Sequence, residues 1–123
     1  MSESKKTVVI GASTNPARYS FRCIHQLMAN GHEVIPIGIK NGEVNGVEII
    51  KELKPIEDVD TVTLYVGPSN QPEYYDYILN VLKPKRLIFN PGTENKELKD
   101  KAIAKGIDAF EACTLVMMST NQY

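Results

Sequence analysis

The stretch Gly11-Ala12-Ser13-Thr14-Asn15-Pro16-Ala17-Arg18-Tyr19-Ser20 gathers the residues of this chain best suited to hold an anion, and it follows the apolar run Val8-Val9-Ile10. A glycine ends the run, small hydroxylated side chains follow, and Asn15-Pro16 offers an N-cap and a first helical residue. Strand, tight loop and helix are expected in that order. The first turn of a helix leaves N–H groups without intrahelical acceptors and carries the positive end of the macrodipole, so a phosphate finds donors there. The hydroxyls of Ser13 and Thr14 add to them, and Arg18 adds a cation. Against this stands an ordinary reading, because many strand-to-helix turns contain a glycine and bind nothing.

Three further stretches repeat the theme: Ile37-Gly38-Ile39-Lys40, Val66-Gly67-Pro68 and Asn90-Pro91-Gly92, each with a glycine near the end of an apolar run. One such glycine is a turn requirement, whereas four that converge favour a nucleotide-like ligand, since a missing side chain leaves room. The pattern is not a dinucleotide fingerprint, because Ser13 and Pro16 stand where the later glycines of GxGxxG would fall. No GxxxxGK[ST] loop occurs either. An NAD site wants an acidic residue at the end of the second strand, and this chain has Gly38-Ile39-Lys40 there. A lysine suits the extra ribose phosphate of NADP or coenzyme A. With no ligand, Lys40 reads as a solvated loop residue.

No complete catalytic constellation is visible, and no catalytic residue is assigned. His25 lies beside the apolar stripe of the first helix and His32 beyond its end. Cys113 follows Glu111 near the end of the last run and could form a mixed disulfide with a thiol, although a buried inert cysteine is the plainer reading. Neither Cys113 nor Cys23 has a CxxC or His-rich neighbourhood, so no metal is expected.

The elements that must position these loops follow from periodicity. Residues 7–10, 33–37, 60–66, 86–89 and 107–110 read as strands, several of them apolar on both faces as in a covered parallel sheet. Helices are expected over 16–29, where Ala17, Phe21, Ile24, Leu27 and Met28 make one stripe, over 71–82 and over 95–105. Asn45-Gly46 between two valines signals a type I′ hairpin, followed by a helix-like segment at 49–53. Residues 113–118 are apolar, helix or strand. Alternating strand and helix make the fold class α/β and doubly wound, with ligands beyond the carboxyl ends of the strands.

The chain of 123 residues is expected to be a polar tail at 1–5 and one domain at 6–123, able to bury about two thirds of its unfolded surface without staples. Fourteen basic and 15 acidic residues give a net charge of −1, without the Lys/Arg runs of a nucleic-acid or anionic-membrane binder. The start of the chain lacks an export signal, no run approaches ~18 apolar residues, and the two cysteines read as free thiols, so a cytoplasmic protein is expected.

Gly11-Ala12-Ser13 with Pro16, Arg18 and Ser20, then Gly31-His32-Glu33-Val34-Ile35-Pro36-Ile37, Gly46, Val59-Asp60, Asn90-Pro91-Gly92 and a late Cys113 resemble the small stand-alone CoA-binding proteins over nearly the whole chain. That family is similar to the nucleotide-binding domain of the succinyl-CoA synthetase alpha subunit. The resemblance implies a single Rossmann-like domain with a five-stranded, mainly parallel sheet that holds coenzyme A or an acyl-CoA at its switch point. It implies Gly11, Ala12 and Ser13 as the phosphate loop and Arg18 and Ser20 as contacts at the helix start. Pro36 and the residues after it, Gly38 and Lys40 among them, are the implied adenosine wall. Val66-Gly67 and Asn90-Pro91-Gly92 are the implied remainder of the cleft. This chain departs from the family at Gly38-Ile39, where Asn-Pro is frequent, and at Phe89-Asn90, where an aromatic and Gln are frequent.

Succinyl-CoA synthetase chemistry uses a phosphorylated histidine in another domain, so the resemblance implies binding without catalysis, with a small-molecule CoA ester as partner. Two alternatives stay open. One is an NADP-dependent oxidoreductase, which would need a further substrate domain. The other is an interaction domain with an empty cleft, in which residues 115–118 serve a homodimer.

Overall fold

In the computed structural model, which describes residues 4–123, the apolar runs become strands whose pairing puts the loops together. In chain order the strands are β1 (Thr7–Ile10), β2 (Val34–Ile37), β3 (Glu43–Val44), β4 (Val47–Glu48), β5 (Thr61–Leu64), β6 (Arg86–Phe89) and β7 (Asp108–Glu111). Residues 1–3 of the expected tail lie outside the described residues. Five strands form one parallel sheet in the order β2-β1-β5-β6-β7. The chain builds outward from β1 to β2, then returns to the other side of β1 for β5. That reversal is the switch point, and it lies beside Gly11.

Side chains of successive strand residues face opposite layers. Val8, Ile10, Val62, Leu64, Leu87 and Phe89 pack on one side with Tyr74, Tyr77, Ile78 and Leu98. Val9 faces the other, against Cys23, Ile24, Leu27 and Met118. β1 is buried at every residue, as the run without polar alternation requires. Removal of a side chain such as Leu64 or Phe89 from water contributes roughly 1.5–3 kcal/mol. The helices that cover the sheet are α1 (Tyr19–Ala29), α2 (Lys96–Ala104) and α3 (Thr114–Ser119), the last settling the 113–118 run as helix.

Three expectations are corrected. The first helix begins at Tyr19 rather than Pro16, because Asn15 closes a turn of its own: its Oδ1 accepts from the Ala17 N–H at 3.0 Å and its carbonyl from the Arg18 N–H at 3.0 Å. The segment at 49–53 is not helical; Ile50 lies beside Ile37 as a parallel bridge on the outer edge of β2. The helix expected at 71–82 is instead a 3₁₀ turn at Pro72–Tyr74, which follows another at Pro68–Asn70, and then a π-helix over Tyr77–Leu82 that ends with Lys83 at a left-handed φ of 48°. The Asn45-Gly46 turn is as expected, with φ of 51° and 84° in the β3–β4 hairpin.

At the amino ends of the strands the sheet is closed. Tyr123 bonds through its hydroxyl to the Thr7 hydroxyl, and its carbonyl accepts from the Arg86 guanidinium at 3.2 Å. That guanidinium lies 4.5 Å from the centroid of the Tyr123 ring and also donates to Thr61 Oγ1 at 2.9 Å.

Candidate functional site: a cleft across four strand ends

The carboxyl ends of β2, β1, β5 and β6 open into a cleft of about 820 Å³. Four adjacent strands at ~4.8 Å spacing make it about 14 Å long. Of the fourteen residues singled out from the sequence, Gly11, Ala12, Ser13, Thr14, Arg18, Ser20, Gly38, Lys40, Val66, Gly67, Pro91 and Gly92 all line it. Pro36 and Asn90 do not. Pro36 is buried within β2. The Asn90 amide is fully occupied inside the fold, donating to Thr63 Oγ1 at 2.6 Å and the Leu64 carbonyl at 2.8 Å, and accepting from the Thr114 N–H at 2.9 Å.

The backbone donors of the first loop are of two kinds. The N–H groups of Gly11 and Ala12 both point to the Ile37 carbonyl at 2.9 Å, so they hold the loop to the end of β2. The Asn15 N–H is taken by Ser13 Oγ at 3.1 Å. The N–H groups of Ser13, Thr14, Tyr19 and Ser20 have no partner among the described residues, and all four residues line the cleft. Two come from the loop and two from the first turn of α1, whose cap residue Arg18 contributes no side-chain cap bond of its own. Such a group of donors, with the helix dipole behind it, suits an anion.

The glycines also divide. Gly11 has φ of +98°, and a Cβ there would lie 2.9 Å from the Tyr65 carbonyl carbon. At Gly38 a Cβ would lie 2.5 Å from the Ala12 carbonyl oxygen. Both are glycine because two loops press on each other. Gly67 differs: its φ of −63° and ψ of 158° are open to any residue, and a Cβ would meet nothing within 4 Å. Its missing side chain leaves empty space in the cleft rather than relieving a contact.

The far wall is held by a residue that strand and helix patterns do not reveal. Gln71 is fully buried. Its Nε2 donates to the Val66 carbonyl at 2.9 Å and the Thr93 carbonyl at 2.7 Å, and its Oε1 accepts from Asn95 Nδ2 at 2.9 Å. Asn95 in turn caps α2, accepting from the Leu98 N–H at 3.2 Å. One amide thus ties the loop after β5 to the loop after β6 and to the start of α2.

Charge is distributed unevenly. Arg18 and Lys40 are the cations of the lining, both exposed and both on the β1–β2 side. Glu73, on the Pro72–Tyr74 turn, is its carboxylate. The sequence passes over Glu73, Asn70 and Thr93, while Ile39, within the strand-end stretch 37–40, is an apolar side chain left 78% exposed at the mouth. Tyr65 lines the floor, its phenol raised well above the usual range by burial, so it stays neutral. Burial pushes the Cys23 thiol up to about 12 and makes it a poor nucleophile, while Cys113 is half-buried, and both are free. Neither cysteine, nor His25 or His32, lines the cleft. Among the described residues, no group of three or more His, Cys, Asp or Glu could hold a metal, and no helix is long and apolar enough to cross a membrane.

A cleft of this size is within the ~300–1,000 Å³ usual for small-molecule sites. Comparison with known proteins agrees with the architecture. A crystal structure of an uncharacterized protein superposes with a TM-score of 0.96 at 50% identity, covering 99% of this chain and 100% of that one. A hypothetical protein from Pyrococcus horikoshii OT3 gives a TM-score of 0.84 at 26% identity, covering 97% of this chain and 84% of that one. The fold also recurs in the dinucleotide forming acetyl-coenzyme A synthetase 1 of Ca. Korarchaeum cryptofilum, in complex with phosphate and ADP. There the TM-score is 0.70 at 19% identity, and the match covers 90% of this chain but 26% of that one. No curated protein sequence matches the chain. The family model described as CoA binding domain matches residues 5–119, and the chain belongs to that family.

Proposed function

We propose that this protein binds coenzyme A or an acyl-CoA in the cleft and holds it without catalysing a reaction on it. The observation that carries the reading is the set of unpartnered N–H groups at Ser13, Thr14, Tyr19 and Ser20 beside Arg18, at the switch point of a CoA binding domain. In this reading the diphosphate lies on those donors, and Lys40 meets the ribose phosphate while Ile39 packs on the adenine. Pantetheine runs over the space at Gly67 toward Pro91 and Gly92. Gly11 and Ala12 serve by shape rather than as donors. The lack of a nucleophile paired with a base in the lining supports binding rather than turnover. The free thiols fit a cytoplasmic setting.

Thermal unfolding with CoA, acetyl-CoA and NADPH tests the proposal. Ligand at ~100 times its Kd adds about 2.7 kcal/mol, which for a domain of this size raises Tm by roughly 10 °C. We expect that rise with CoA and acetyl-CoA and none with NADPH. An equal rise with NADPH would move the assignment to the oxidoreductase reading, and no rise with any of the three would leave the cleft without a nucleotide role.

A further inference from the structure

The cleft is polarised along its length, and this says which acyl groups it takes. At the β2 and β1 end are Arg18, Lys40 and the unpartnered N–H groups. At the β5 and β6 end the lining is Gly67, Pro91, Gly92 and Thr93 with Glu73, the one carboxylate among the lining residues. Glu73 is not on a loose loop. Gln71, two residues earlier, is fully buried and bonded to the Val66 and Thr93 carbonyls, and Tyr74, one residue later, is buried in the core. The turn that carries Glu73 is therefore pinned on both sides.

A CoA thioester bears its phosphates at one end and its acyl group at the other. Opposite charges draw the phosphates to the Arg18 and Lys40 end, and the cleft then directs the thioester toward Glu73. We propose that Glu73 makes the cleft discriminate among CoA thioesters, accepting acyl groups that are uncharged and rejecting those that end in a carboxylate. This rests on the coenzyme reading above. The rejection is a like-charge effect at a solvated rim, so it is modest and sensitive to salt.

Titration calorimetry with CoA, acetyl-CoA and succinyl-CoA, in low and physiological salt, tests it on the wild type and on Glu73→Gln and Glu73→Lys. For a single like-charge pair at a partly solvated site we expect acetyl-CoA to bind about 3- to 10-fold more tightly than succinyl-CoA. The ratio should fall toward one in Glu73→Gln and reverse in Glu73→Lys, with the gap shrinking as salt rises. A change in the ratio separates this role from a structural one, since a loosened wall would weaken both ligands together. Equal affinities in the wild type, or a ratio that neither substitution moves, overturn the inference and leave the coenzyme reading standing if CoA binds. Failure of CoA itself to bind overturns both.

Discussion

Gly38 and Gly67 look alike in the sequence, each following an apolar run, yet they answer to different demands. A methyl group at 38 would collide with the Ala12 carbonyl oxygen, whereas one at 67 would enter open space from an unstrained backbone. Gly38→Ala should therefore cost about 1–3 kcal/mol, because two loops must separate. Gly67→Ala should instead raise stability by about 0.4–1 kcal/mol through the unfolded chain, while weakening CoA binding several-fold. Urea unfolding beside calorimetry reads both signs, and a Gly67→Ala variant that binds CoA as well as wild type would show that the space is not used. The sequence points to both glycines as cleft residues but cannot separate them. What distinguishes Gly38 is a carbonyl 26 positions earlier, and only the fold brings it near. Asn90 shows the same limit: its residue type and strand-end position suggest a ligand contact, while its amide is spent on Thr63, Leu64 and Thr114.

At the level of elements, the strands were legible because burial between two helical layers needs continuous apolar runs, and such runs stand out. The helices were less so, wherever a side chain settled backbone groups locally or a polar contact came from far away. Asn15 ends its own turn and delays α1 to Tyr19. The segment around Pro68–Tyr74 is shaped by Gln71 reaching carbonyls at Val66 and Thr93, and the second of these is 22 residues away. No helical period encodes that bond. Gln71→Met keeps the volume and removes the bonds, leaving two carbonyls and the Asn95 amide short of partners. It should destabilise the fold by about 2–4 kcal/mol in urea unfolding and reduce CoA affinity in the same variant. A stability loss under 1 kcal/mol would mean that water replaces the amide and the wall is not held by it.

Over the whole molecule the sheet has two unlike ends. The carboxyl end leaves donors free around a cleft; the amino end uses its polar groups on one another, through Thr7, Thr61, Arg86, Tyr123 and His32. His32 is buried there, accepts from the Lys5 N–H at Nδ1 across 2.9 Å, and stacks edge-on against Tyr123 at 5.0 Å. Burial first, then the charges of Lys5 and Arg86, hold its pKa below the ordinary 6.5. The folded state thus prefers the neutral ring, and the unfolded chain takes the proton first as pH falls. The contribution is complete above about 6.5 and is lost on acidification below it. Tm measured from pH 8 to 5 should fall on the acid side, and fall less steeply in His32→Leu. Equal slopes would assign the acid loss to other groups.

The empty space above residue 67 has a further consequence, on the timescale of descent. Under the proposed CoA-binding reading, a gene copy relieved of that ligand would have nothing in the architecture to defend this glycine, and drift would fill it with larger side chains while positions 11 and 38 stayed as they are. On that reading, a lineage altered at 67 alone would be one that kept its shape after giving up the proposed ligand.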